Sequence, residues 1–319
     1  MEYRRLGKSE LEVTEISLGA WSYGHDSWSD IDDDVSIRTI HKAIDYGITL
    51  IDTAPAYGNG YSETIVGRAI EGKRDKVIVA TKCTADAKTI PEQADASLKR
   101  LGVECIDLYQ VHYPSAEIPI CETIGAVAEL KKQGKIRHIG VSNFSVKQLK
   151  EAVATAEITS CQSPFNLLWR EIEVQGVLDF CLENNIGILS YSSIAQGLLT
   201  GKFENREDIP ATKGEARTRN VLFKEGTFEA ALGAVEFMKQ IAPKYGKTLT
   251  QLAINWVINR PGITTSLVGA RNMKQLDENV GGQGWQISPE DMKSLDEAGL
   301  KVSEILDYTR NMWGFLYAR

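Results

Sequence analysis

This chain of 319 residues has little that would tie it to a membrane, an export route or a nucleic acid. No stretch approaches the roughly 18 uncharged apolar residues that a spanning helix needs. The start, Met1-Glu2-Tyr3-Arg4-Arg5, lacks the apolar core of a signal peptide. Lysine and arginine number 36 against 43 aspartates and glutamates, a net charge of -7 that leaves no basic footprint for nucleic acid. The five cysteines (Cys83, Cys105, Cys121, Cys161, Cys181) are odd in number and show no CxxC spacing. They read as reduced thiols of a cytoplasmic protein, without a disulfide framework or a metal site. No proline- or serine-rich linker interrupts the chain, so residues 1–319 are expected to form a single domain, as a monomer or a weak homo-oligomer.

What the chain does have is a period. Asp52, Lys82, His112 and Ser142 stand thirty residues apart, and each closes an apolar run: Leu50-Ile51, Val77 to Thr81, Ile106 to Val111 and Ile139 to Val141. Thirty residues is about one strand–helix unit. Polar side chains at the ends of successive strands are how a (β/α)₈ barrel builds an active site. Eight such units can be traced. The strands begin at Ile16 to Leu18, continue through Ser160 to Ser163 and Gly187 to Tyr191, and end at Thr265 to Val268. Helical periodicity fills the gaps: Val35 to Tyr46, Ser62 to Ile70 with a serine at its start, Pro91 to Leu101, Ile120 to Gln133, Ser145 to Thr155, Val174 to Asn184 and Asn272 to Val280. The prediction is an α/β fold, one TIM barrel, with a doubly wound open sheet as the alternative. Three additions are expected: an N-terminal β-hairpin within 1–15, a long polar loop at 192–228 after strand seven, and extra C-terminal helices with a tail in 285–319.

The rim residues define a chemistry. A lysine that ends a run as apolar as Val77 to Thr81 is costly to bury unless a carboxylate meets it, and Asp52 on the adjacent strand is placed to do so. Tyr57, five residues after Asp52, can fold back over the same rim. A phenol titrates near pH 10, and an ammonium beside it is expected to bring that value down. His112 offers a hydrogen-bond donor from the next strand. Read alone, Asp52 is a capping residue and His112 a satisfied core histidine; together they point to acid–base work on a polar bond.

These residues resemble the aldo-keto reductase family. The resemblance rests on Asp52 with the Tyr57 spacing, Thr81-Lys82, Tyr109-Gln110-Val111-His112-Tyr113-Pro114, Gly140-Val141-Ser142-Asn143-Phe144-Ser145, Gly269-Ala270-Arg271 and Glu278-Asn279. It runs from Tyr3 to about Val280. Leu6-Gly7-Lys8-Ser9 and Gly197 to Lys202 look most like the bacterial general-reductase branch, whose pattern the potassium-channel β subunits share. The resemblance implies NADPH-dependent reduction of a small carbonyl substrate. Hydride goes from C4 of the nicotinamide to the carbonyl carbon, Tyr57 protonates the oxygen, the Lys82–Asp52 pair tunes the tyrosine, and His112 orients the carbonyl.

The resemblance also implies a cofactor site. Ala20, Trp21 and Asp52 would line the nicotinamide end, Ser142, Asn143 and Gln162 would hold its carboxamide, and Tyr191 would stack on the ring. Ser192, Ile194, Gln196, Gly197 and Lys202 would track the pyrophosphate, with Arg217 reaching in from the loop. Gly269, Arg271, Gln275, Glu278 and Asn279 would surround the adenosine end. Arg271 starts a helix, where guanidinium and helix N–H groups together suit a 2′-phosphate and so favour NADPH over NADH. The chain has Gly269-Ala270 where the better-known mammalian branch has Lys-Ser, and Ser193 where proline is common. Gly58-Asn59-Gly60-Tyr61-Ser62-Glu63 is only a broken Rossmann fingerprint, with Glu63 in the third glycine's place. Gly214-Glu215-Ala216-Arg217 is similar to a segment that folds over the cofactor in relatives.

Trp21, Tyr57, His112 and Tyr113 are the candidate substrate contacts, with Tyr23, Trp28, Trp313 and Phe315 as further candidates for an aromatic cleft. Two other readings are open. One is a Schiff-base lyase working through Lys82. The other is an NADPH-binding redox sensor with weak turnover, like the channel β subunits; those carry asparagine where this chain has His112.

Overall fold

The computed structural model describes residues 1–26, 31–210 and 215–316. The hairpin comes first, β1 (Tyr3–Arg5) paired antiparallel with β2 (Glu12–Thr14). Eight parallel strands follow and close on one another in sequence order: β3 (Ile16–Gly19), β4 (Leu50–Asp52), β5 (Ile78–Cys83), β6 (Ile106–Val111), β7 (Ile136–Ser142), β8 (Ser160–Pro164), β9 (Gly187–Tyr191) and β10 (Ile263–Gly269), which pairs back with β3. The thirty-residue period is thus the repeat of a TIM barrel, and the open sheet is excluded. No helix among the described residues is long and apolar enough to cross a membrane.

The hairpin plugs the bottom of the barrel. Leu6, Leu11 and Val13 pack with Leu50, Ala80, Leu108, Leu189 and Leu267, which point inward from the strands. Gly7 makes this possible: its φ is +55°, and a β-carbon there would lie 2.4 Å from the Thr159 carbonyl oxygen. The opposite mouth, at the C-terminal strand ends, is left for chemistry.

The helices fall close to their predicted places, with local differences. Ser62 does not cap its helix. Gly60 precedes Tyr61–Ile70, and the Ser62 hydroxyl turns inward to donate to the Ala20 carbonyl at 2.7 Å, tying the end of β3 to the first turn of this helix. The expected helix Val174 to Asn184 is two short helices, Glu171–Val174 and Val177–Glu183, parted by Gly176 at φ 73°. The segment after β9 is less polar in its packing than its composition suggested. It coils through the 3₁₀ turns Ala195–Thr200, Arg206–Asp208, Ala216–Thr218 and Val221–Phe223, and buries Leu198, Leu199, Phe203, Leu222 and Phe223. The helix Pro289–Ser303 leads into a tail that docks on this segment, where the Val221 amide donates to the Met312 carbonyl at 2.9 Å.

Candidate active site

The strand ends bring the four candidate catalytic residues to one mouth of the barrel. Lys82, on β5, is fully buried. Its ammonium donates to Asp52 Oδ1 at 2.6 Å, to the Thr53 carbonyl at 2.9 Å and to the Tyr57 hydroxyl at 3.3 Å. All three of its N–H donors therefore have acceptors, which removes the amine from nucleophilic use and with it the Schiff-base reading. The His112 ring stands edge-on to Tyr57, with centroids 6.1 Å apart, and stacks on Tyr113 at 5.0 Å.

Charge tuning departs from expectation at Tyr57. Loss of water around its hydroxyl, and then the Asp52 charge, hold the phenol well above its ordinary value. Lys82, paired with Asp52 at 2.6 Å, does not reverse this: loss of water is the largest influence on the phenol and outweighs the lowering expected from the ammonium. The site thus keeps the Tyr57 proton in place. His112 shifts the other way: desolvation, and then the Lys82 charge, lower it to about 3. A neutral imidazole, with one donor and one acceptor nitrogen, faces the cleft at neutral pH.

A cleft of about 820 Å³ runs from these residues across the barrel mouth. Of the positions singled out in the sequence, Trp21, Asp52, Tyr57, His112, Tyr113, Ser142, Asn143, Gln162, Tyr191, Ser192, Ile194, Gln196, Gly197, Lys202, Arg217, Gly269, Arg271, Gln275, Glu278 and Asn279 all line it. Ala20 does not: it is fully buried, with Gly19 on the wall instead. Near the middle, Asn143 sits at φ 62° and donates to the His112 carbonyl at 3.0 Å, while the Tyr191 hydroxyl donates to Asn143 Oδ1 at 2.8 Å. The Gln162 amide donates to Asp52 Oδ2 at 2.8 Å.

The far end is cationic. Arg217 is nearly buried, pairs with Glu215 at 2.8 Å and donates from Nε to the Gln196 carbonyl at 3.0 Å. Partial desolvation, then Arg217 and Arg271, lower Lys202 to about 8. Like charges that depress one another in a cleft are placed for an anion. The Arg271 amide donates to Gln275 Oε1 at 2.8 Å just before the helix Met273–Val280, and Asn279 Nδ2 donates to the Gly269 carbonyl at 3.1 Å.

The tail completes the other end. Trp313 meets Trp21 edge-on at 5.6 Å, and Phe315 also reaches the cleft. Tyr23 does not: it is fully buried, and its hydroxyl donates to the Ala270 carbonyl at 2.8 Å. Trp28 and Gly214 lie outside the described residues. Sequence reasoning missed Gln110, whose amide donates to Asp52 Oδ2 at 3.0 Å, and the lining residues Arg219, Asn311 and Leu316. The broken fingerprint has a structural explanation: Glu63 is buried and accepts from Arg100 Nε at 2.6 Å. Among the described residues, no group of His, Cys, Asp and Glu is arranged to hold a metal.

A closed eight-stranded barrel with a buried Asp–Lys pair under a tyrosine and a histidine defines an oxidoreductase of one kind. The chain belongs to the aldo/keto reductase family, whose model matches residues 15–299. It is accordingly an enzyme that reduces carbonyl groups with a nicotinamide cofactor. It is 42% identical over 310 residues to the aldo-keto reductase YhdN of Bacillus subtilis strain 168, covering 93% of each chain. It is 32% identical over 323 residues to an NADH-specific methylglyoxal reductase of Escherichia coli strain K12, covering 92% of this chain and 98% of that one. Among solved structures, the glycerol dehydrogenase of Gluconobacter oxydans superposes with a TM-score of 0.86 at 35% identity, over 96% of this chain and 97% of that one.

Proposed function

We propose that the chain reduces small aldehydes or ketones to alcohols at the Tyr57 end of the cleft, with NADPH as the preferred reductant. The observation that carries this reading is the 3.3 Å contact from Lys82 Nζ to the Tyr57 hydroxyl at one end of a cleft whose other end gathers Lys202, Arg217 and Arg271. When bound, the nicotinamide supplies a hydride to the carbonyl carbon. The protein supplies the proton and the geometry.

Tyr57 donates its proton to the carbonyl oxygen as negative charge develops there, and the alcohol C–H and O–H bonds are complete. Lys82 then donates to the phenolate oxygen left behind, an interaction stronger after proton transfer than before it, as catalysis requires. Asp52 fixes Lys82 in place. Neutral His112 donates to the carbonyl oxygen and sets its direction. Trp21, Tyr113 and Trp313 exclude water on the substrate side. Asn143 and Gln162 present amides to the carboxamide, and Tyr191 presents its ring.

The cationic end fits a dinucleotide phosphate on chemical grounds, since the Glu215 carboxylate paired with Arg217 offsets only part of the repulsion among Lys202, Arg217 and Arg271. Segment 192–228, which carries Lys202 and Arg217, covers the cofactor in this reading. The 2′-phosphate contact falls to Arg271 in this reading.

The test is oxidation of NADPH and of NADH by the purified protein against aldehydes, α-dicarbonyls, ketones and sugars. Turnover is expected with NADPH in excess over NADH, and Tyr57→Phe should lower it ~10²–10⁴-fold. Equal rates in Tyr57→Phe would overturn the assignment of the proton donor. A preference for NADH would overturn the phosphate assignment alone.

A further inference from the structure

We propose that Gln110 is a positioning residue of the reaction: with Gln162 it fixes the Asp52 carboxylate so that Lys82 stays aimed at the Tyr57 hydroxyl. The inference rests on the reading of Tyr57 as proton donor and extends it one layer inward.

Gln110 lies on β6, two residues before His112, fully buried inside the barrel. The two oxygens of Asp52 divide their partners. Oδ1 faces the Lys82 ammonium at 2.6 Å, while Oδ2 accepts from Gln110 Nε2 at 3.0 Å and from Gln162 Nε2 at 2.8 Å. A carboxylate only accepts, so both glutamines must turn their NH₂ groups toward it, which settles their orientation. Gln162 Nε2 also comes within 3.4 Å of Gln110 Oε1, so the two amides are locked to each other as well.

A barrel interior is ordinarily filled with aliphatic side chains, and a leucine at this position would fill the layer without burying an amide. The chain instead makes room for the amide. Gly140 stands opposite Gln110 in the register of β7, and a β-carbon there would fall 2.8 Å from Gln110 Cγ and 2.6 Å from Ser160 Oγ. With Gln110 gone, the carboxylate keeps one amide partner and can rotate. The ammonium hydrogen-bonded to it then follows, away from the phenol it must stabilise once the proton has left.

The experiment uses Gln110→Met, which keeps length and removes the donor, and Gln110→Glu, whose new carboxyl can donate to Asp52 only while protonated. For Gln110→Met, kcat should fall about tenfold to a hundredfold, the worth of a charge-assisted hydrogen bond, with the NADPH dissociation constant unchanged. For Gln110→Glu, the rate relative to the parent should rise as pH falls from 8 to 5. Parental kcat in Gln110→Met, a loss confined to NADPH binding, or a pH-independent ratio in Gln110→Glu would overturn the inference. If Gln110→Met does not fold, the Gln110→Glu ratio alone decides. Tyr57→Phe separates the two levels: full activity there removes the underlying reading, whereas an inactive Tyr57→Phe beside a parental Gln110→Met removes only this inference.

Discussion

At one end of the cleft Asp52, Lys82, Gln110 and Gln162 stand on barrel strands and satisfy one another, carboxylate to ammonium and carboxylate to amide. At the other end Lys202 and Arg217 come from a loop, Arg271 from the start of a helix, and like charges crowd together. The first arrangement satisfies its own polar groups and holds its geometry through burial. The second carries a surplus of positive charge beyond its Arg217–Glu215 pair, which a bound anion would relieve. Preorganised charge belongs where bonds change, because reorganising it during reaction would add to the barrier. Strained charge belongs where binding affinity is needed, because the ligand relieves the repulsion.

Removing one cation from each end should break that comparison most visibly. Lys82→Met leaves Asp52 buried without its counter-charge and should destabilise the fold by ~3–5 kcal/mol in urea unfolding. Lys202→Met relieves repulsion and should leave the ligand-free protein as stable as the parent or more so. Equal destabilisation by both would erase the distinction. A smaller effect is expected at the 2′-phosphate: Arg271→Gln should weaken NADPH roughly 10- to 100-fold in a fluorescence titration and barely change NADH. Parallel losses with both dinucleotides would move Arg271 out of that role. The smallest effect is in pH. Lys202 is lowered to about 8, so its charge is present below that pH and lost above it, and NADPH affinity should fall as pH rises from 7 to 9. Solvent screens this exposed side chain, so about a threefold to tenfold change is expected, and Lys202→Met should flatten it.

The catalytic end was more legible in the sequence than the covering segment, for a physical reason. A polar residue closing an apolar strand leaves a local pattern, and at Asp52, Lys82 and Ser142 that pattern recurs with the period of the fold. The described residues of segment 192–228 build their packing from 3₁₀ turns, where Phe203, Leu222 and Phe223 are buried without any repeat to announce them. Gln110 was hidden inside the run Ile106–Val111, although its two-residue offset from His112 puts both on the same face of the strand. Tyr23 misled in the opposite sense: two residues from Trp21, it turns into the core because a 3₁₀ turn rotates successive side chains by about a third of a circle. At Tyr57 the position was legible but the direction of its tuning was not, since that depends on how far burial strips water from the hydroxyl and on how near the Asp52 charge stands.

The most direct test of the catalytic geometry follows a label. NADPH carrying deuterium at the transferable C4 position is incubated with the enzyme and an accepted aldehyde, and the alcohol is analysed by mass spectrometry and NMR. The account predicts deuterium on the carbinol carbon, formed by the parent and lost ~10²–10⁴-fold in rate in Tyr57→Phe. An alcohol without deuterium at that carbon, or labelled at the parental rate in Tyr57→Phe, would contradict it.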